Sequence, residues 1–234
     1  MKISVESVRM CGRFTLKSPE RVKLGQLNRS DLPLIARYNI APSQTVVAFA
    51  DFGNGPELAP LTWGLIPSWS NEPKGSINAR SETLDTKPSF SESFQRRRCL
   101  ILADGFFEWK RTGKVKQPFY FQLNDESVFA FAGIWDRWRK DGLTINSCAI
   151  ITTEANELLQ PIHDRMPVIL HSQLHKIWLD SRTERTELQE LLTPFPTAEM
   201  KSHPVSSAVN HTENDSPELV VRMDAEPGTT PSLF

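Results

Sequence analysis

The sequence predicts an α+β fold in a single domain organised around a long, mainly antiparallel sheet. Three observations carry this: a strand-rich middle punctuated by turn residues, short amphipathic helical stretches on the flanks, and no internal repeat or linker that would divide the chain. With 234 residues and 39% hydrophobic content, there is enough apolar side chain for one large or two small cores.

Ser18-Pro19-Glu20 reads as a helix start, with an N-cap hydroxyl, proline in the first turn and an acid at the positive end, and the helix should run to about Asn28. Residues 45–52 and 58–63 are β-prone runs separated by Gly53, Asn54, Gly55 and Pro56, which together predict a hairpin. Residues 99–103 form an unbroken apolar run, followed by Asp104-Gly105 and then 106–110. An Asp-Gly pair between such segments predicts a second, two-residue hairpin. Segments 117–123, 128–135 and 146–152 add three strands, the last two apolar enough to be buried on both faces, and Trp63 and Trp135 are expected in the core. Thr153 reads as the N-cap of a helix over 154–160 that Pro161 ends, placing Ile162, His163 and Asp164 on a loop. Residues 172–179 and 184–192 are amphipathic helices, 199–209 returns as an extended segment, and residues 223–234 are expected to be a disordered tail.

A formal charge of -1 argues against a wholesale nucleic-acid binder while leaving room for a local basic groove. Arg96-Arg97-Arg98 and the group Lys110, Arg111, Lys114 and Lys116 are such clusters, and the bland reading of each is a solvated face. Cys11, Cys99 and Cys148 form no CxxC spacing and are odd in number, so neither a zinc site nor a disulfide framework is indicated, and a reducing, cytoplasmic compartment fits. No metal or other cofactor is expected. The first ten residues lack an apolar h-region, and no run approaches the ~18 residues of a membrane span, so no membrane association is expected.

Cys11 carries the most chemical information. Met10 precedes it, so initiation at Met10 followed by methionine removal would expose a 1,2-aminothiol, which traps aldehydes as a five-membered thiazolidine. The α-amine, with a pKa of roughly 7.7 to 8.0 against about 10.4 for lysine, is the better neutral-pH nucleophile, and ring closure is intramolecular. On its own, a lone Cys such as Cys11 is most often a small buried hydrophobe. Glu108, bracketed by Phe106, Phe107 and Trp109, is either a desolvated carboxylate suited to proton transfer or the exposed half of a β alternation. His163 is a loop imidazole able to move a proton, or a structural histidine. Asn78 and Arg80 could bind an anion or satisfy loop backbone.

The segments MCGRF, RYNIAPSQ, LTWGLIPSW, INARSET, RRCLILADGFFEWK, QPFYF, IHDRMP and HPVS occur in this order from Met10 to His203–Ser206, and together they resemble the SOS response-associated peptidase family of abasic-site processing proteins. The resemblance covers Met10 to about Val221. It implies a curved, mainly antiparallel sheet or open barrel flanked by short helices, over residues 10–222, with 1–9 a leader or a mis-assigned start. It also implies covalent capture of abasic sites in single-stranded DNA, with Cys11 as the thiazolidine-forming nucleophile. Asn78 would position the amine or sugar, Glu108 would move protons during imine formation, and His163 would assist ring opening and reversal. Arg13, Arg80 and Arg165 would contact phosphates, while Pro42, Trp69 and Trp109 would support a bend and stack on bases. Strand cleavage as a lyase is a further activity the family reading leaves open. The expected partner is abasic single-stranded DNA, the expected state is a monomer, and the expected location is the cytoplasm, on the nucleoid after damage. Two other readings stand beside this one: a cysteine-type peptidase acting on itself or on other proteins, and a non-covalent single-stranded DNA reader.

Overall fold

The computed structural model describes residues 4–5, 12–22 and 34–223. In chain order the strands are β1 (Ser4–Val5), β2 (Arg13–Leu16), β3 (Arg37–Ile40), β4 (Thr45–Asp51), β5 (Pro56–Trp63), β6 (Lys74–Gly75) and β7 (Asn78–Arg80). After a single helical turn and a half, α1 (Ser91–Arg96), come β8 (Arg98–Ala103), β9 (Gly105–Thr112), β10 (Val115–Leu123), β11 (Phe129–Lys140) and β12 (Leu143–Glu154). The chain closes with β13 (Arg165–Pro167), β14 (Ile169–Leu170), α2 (His175–Leu179), α3 (Arg185–Glu190) and β15 (Met200–Pro204).

The fold is α+β, as expected, and its sheet closes on itself. β12 pairs with β11 and β5, β5 with β4, β4 with β8, and β8 with β11, which makes a five-stranded barrel. All of these pairings are antiparallel except β12 with β5. A second, antiparallel sheet in the order β15-β10-β9-β2-β3 lies against the barrel. Phe14 of β2 joins the two layers, with its ring edge-on to Trp63 at 5.1 Å and to Phe131 at 5.6 Å, while Phe106 stacks on Phe121 at 5.2 Å. Such aromatic pairs add about 0.5–1.5 kcal/mol each beyond the area they bury. Trp63 and Trp135 are in the core, as the sequence indicates.

Residues 45–63 form the expected hairpin, with Asp51 Oδ1 accepting from the Gly53 and Gly55 amides in the turn. Asp104-Gly105 does not make one. β8 ends there and β9 begins, but the two never pair: β8 stays in the barrel and β9 enters the second sheet. Gly105 is needed because a Cβ there would sit 2.0 Å from the Tyr120 hydroxyl, not because of a left-handed turn. Asp104 is buried; its amide donates to the Thr15 carbonyl, its Oδ1 accepts from the Thr15 hydroxyl at 2.6 Å and its Oδ2 accepts from the Ser18 amide at 2.7 Å. Ser18 is thus tied to Asp104 rather than capping a helix. Only a 3-10 turn, Pro19–Arg21, follows it, and the remainder of the expected helix lies outside the described residues.

The helix expected over 154–160 is also absent. Thr153 and Glu154 belong to β12, paired with Met166 and Arg165, and the chain then makes consecutive turns. The extended segment expected over 199–209 is β15 followed by a 3-10 turn, Ser207–Asn210. Residues 172–179 and 184–192 do contain α2 and α3. Residues 224–234, most of the expected tail, lie outside the described residues.

Two outcomes test this junction. Gly105→Ala should destabilise the protein by about 1–3 kcal/mol through overpacking against Tyr120, read by urea unfolding. Burial raises the Asp104 pKa above its ordinary 3.8. Between those values the folded chain holds the extra proton, so this group favours folding below pH 3.8 and loses that contribution as pH rises through its native pKa. Asp104→Asn should therefore flatten the fall in stability over that window, measured by denaturation at a series of pH values.

Candidate active site

The antiparallel register of β2 and β9 sets Arg13 opposite Phe107, so the next residue outward on β9, Glu108, runs alongside Gly12. Glu108 is only 4% exposed, which decides between the two sequence readings in favour of the buried carboxylate. Trp109 follows it, half-buried, with its indole N–H donating to Asn210 Oδ1 at 2.7 Å. Asn210 is held there because the buried Asn39 side chain donates to the carbonyls of Val209, His211 and Asn214.

The second wall comes from the excursion between β12 and β13. Asn156 organises it: its Oδ1 accepts from the Leu159 amide at 3.1 Å, its Nδ2 donates to the Phe195 carbonyl at 2.8 Å, and the Ala155 amide donates to the Asp164 carbonyl at 3.0 Å. His163 therefore sits on a braced loop, as the helix-ending proline suggests, although turns rather than a helix lead to it. Its Nδ1 accepts from the Arg165 amide at 3.0 Å and lies 3.0 Å from Asp164 Oδ1.

Between these walls is a cavity of about 660 Å³, lined by Gly12, Glu108, Trp109, Arg111, Lys116, the run 161–164 and Asn210. It brings together a buried carboxylate, an imidazole and two cations beside the residue that follows Cys11. That set can transfer protons and attract an anion. Cys11 itself lies outside the described residues.

The remaining candidates are not among the residues that line this cavity. Asn78 is buried on β7, paired in parallel with Ile150 of β12, and Arg80, two residues on, is exposed opposite Thr152. Arg165 is half-buried and already engaged: Nη2 donates to the Thr152 carbonyl at 2.6 Å, and the guanidinium pairs with Glu82 through both carboxylate oxygens. Those contacts hold the Glu82 carboxyl below its ordinary value. Arg13 donates to the Gly12 carbonyl at 2.9 Å, and burial lowers the pKa of its guanidinium. Trp69 is 63% exposed on the loop over 67–73, which is pinned by the Trp138 indole donating to the Ser70 carbonyl and by the Ser68 amide donating to Asp136. Pro42 is half-buried in the turn between β3 and β4. Sequence reasoning set Arg111 and Lys116 aside as solvated and missed Asn210. Only the cross-strand register and the Asn39 contacts bring these three to the cavity.

Fold and cavity together define a barrel-plus-sheet α+β protein with an acid–base cleft at the start of its N-terminal sheet strand. The family model described as SOS response associated peptidase (SRAP) matches residues 10–212, and the chain belongs to that family. It is 44% identical over 221 residues to the abasic site processing protein YoqW of Bacillus subtilis, covering 90% of this chain and 99% of that one. It is 33% identical over 220 residues to YedK of Escherichia coli, another abasic site processing protein, with the same two coverages of 90% and 99%. Among solved structures, a Bacteroides thetaiotaomicron protein superposes with a TM-score of 0.79 at 27% identity, covering 91% of this chain and all of that one.

Asn156→Ala removes the side-chain bonds to Phe195, Met200 and Leu159 that shape the His163 loop. It should cost about 1–3 kcal/mol of stability by leaving the buried Phe195 carbonyl without its donor, measured by equilibrium unfolding.

Proposed function

We propose that this chain processes abasic sites in single-stranded DNA by capturing the ring-opened sugar aldehyde on Cys11. The observation that carries this reading is the cavity wall. Gly12, joined to Cys11 by a peptide bond, lines the same space as Glu108 and His163. The abasic-site processing named for its relatives points the same way.

The chemistry proceeds in balanced steps. The Cys11 α-amine adds to the aldehyde carbon and the carbinolamine loses water to give an imine; the thiolate then attacks the imine carbon and the nitrogen takes a proton, closing the thiazolidine. Water loss needs a group that first accepts and then returns a proton, a role that fits the buried Glu108. His163, with Nδ1 held by the Arg165 amide, would pass a proton through Nε2 during sugar ring opening and adduct reversal. Asn78 would orient the amine or the sugar. Arg13 and Arg80 would meet phosphates; Arg165 would do so only by exchanging the Glu82 carboxylate for a phosphate oxygen. The exposed Trp69, with Pro42 and Trp109, would stack on or wedge bases, at about 1–3 kcal/mol per stacked base.

The mechanism requires an unblocked α-amine, so the working form begins at Cys11, through a start at Met10 or removal of the preceding residues. Residues 10–222 are then the functional domain. The form beginning at Cys11, incubated with an abasic oligonucleotide, should give a heat-stable crosslink on a denaturing gel, and Cys11→Ala should abolish it. Undiminished crosslinking by that variant would overturn the reading. Glu108→Gln should slow crosslinking by about 10²–10⁴-fold, the usual contribution of general acid–base catalysis, seen in single-turnover time courses.

A further inference from the structure

The β9–β10 hairpin has a charge pattern that its own fold does not explain. Residues 110–116 are all exposed and include Lys110, Arg111, Lys114 and Lys116 with no acid, in a chain whose formal charge is -1. Lys116 and Arg111 are direct cross-strand partners. Side chains opposite each other in an antiparallel pair stand about 4.5–5.5 Å apart at Cβ, and like charges there destabilise the ladder. Among the described residues, no carboxylate forms an ion pair with any of the four. The hairpin thus presents a group of exposed cations without a carboxylate partner among the described residues, a surface suited to an external anion.

Two further features say where that anion belongs. Arg111 and Lys116 line the cavity together with Glu108 and Trp109. Strand alternation places Trp109 and Arg111 on one face of β9, with Lys116 and Pro118 opposite them on β10. A cation pair therefore continues outward from an aromatic ring, in line. From Glu108 to the turn at Gly113 the strand extends roughly 17 Å at about 3.3 Å per residue. That is a short basic track leading away from the cavity, and it suits a flexible polyanion threaded past the site rather than a single compact ligand.

We propose that this hairpin is a phosphate clamp for the strand flanking the lesion, with Arg111 and Lys116 holding the backbone nearest the cavity and Lys114, at the turn, lying beyond them. The proposal rests on the single-stranded DNA reading above and adds the surface that receives the neighbouring nucleotides. Its energetics are those of counterion release, which needs no base contacts.

The test uses the form beginning at Cys11 and its double variant Arg111→Gln/Lys116→Gln. Binding to an undamaged thymidine oligonucleotide is followed by fluorescence anisotropy across salt, and crosslinking to an abasic oligonucleotide is measured separately. Two lost phosphate contacts should reduce the slope of log K against log salt by about 1.4. Between about 50 and 200 mM salt, the wild type should then lose about sevenfold more affinity than the variant. The charge-keeping pair Arg111→Lys/Lys116→Arg should retain the wild-type slope. The double variant should unfold at no lower a temperature, since a like-charge pair has been removed. Equal slopes for wild type and double variant would overturn the clamp, as would an unchanged DNA slope accompanied by lost binding to phosphatidylserine vesicles, which would make the hairpin a membrane contact. Failure of the wild type to crosslink would count against the capture chemistry alone, because the slopes are read on undamaged DNA.

Discussion

A buried carboxylate at the point where the chain leaves its barrel holds the architecture together. Asp104 accepts from the Thr15 hydroxyl and the Ser18 amide, Thr15 lies 2.9 Å from the Tyr120 hydroxyl, and Gly105 leaves just enough space for that phenol. Four segments, β2, the turn after it, the β8–β9 junction and β10, are thereby tied through one polar cluster. Burial of such groups is costly unless they are satisfied, and here it is tolerated because each oxygen has a partner. Burial also pushes the Tyr120 phenol well above its ordinary value, which keeps it a neutral hydrogen-bonding group. The cluster fixes the course of β2, and β2 is the strand that runs on from Gly12.

The site is then a consequence of where two excursions from regular pairing meet. β2 ends its pairing with β9 at Arg13 and Phe107, so β9 continues past it and exposes Glu108 and Trp109 to the cavity. β12 and β13 pair at Thr152–Glu154, and the closed loop between them returns His163 to the same space. Neither side chain depends on a long flexible connection. Glu108 belongs to a paired strand, with Phe119 across from it, and His163 to a loop braced by the buried Asn156. Preorganisation of this kind is what proton transfer requires of its donors and acceptors.

The legible parts of the sequence were those set by short-range rules. The 45–63 hairpin, the strands from 98 to 154 and the two core tryptophans follow from turn residues and apolar runs. Asp104-Gly105 misled because its glycine answers to Tyr120, a residue far along the chain, and not to a local turn. Thr153 misled because Met166 offers it a ladder partner, which outweighs its propensity to cap a helix. The burial of Glu108 was not legible, since local alternation cannot show that both faces of β9 are covered here, Phe106 by the barrel core and Phe107 by Tyr120, Val205 and Val209. Asn210 carried no local signal at all.

The barrel is fastened unevenly. β11 and β12 are zipped from Gly133 and Ile150 to Lys140 and Leu143, whereas β12 meets β5 only at Ser147–Thr62 and Cys148–Trp63, in the parallel orientation. Parallel ladders are slightly weaker per residue, and the least secured part of a cooperative structure opens first. The chain leaving β5 at this joint leads directly to the segment bearing Trp69. Breathing of the barrel, visible as faster amide exchange at Gly64 than at Gly133, would therefore be felt at the exposed indole before it reached the Asp104 cluster.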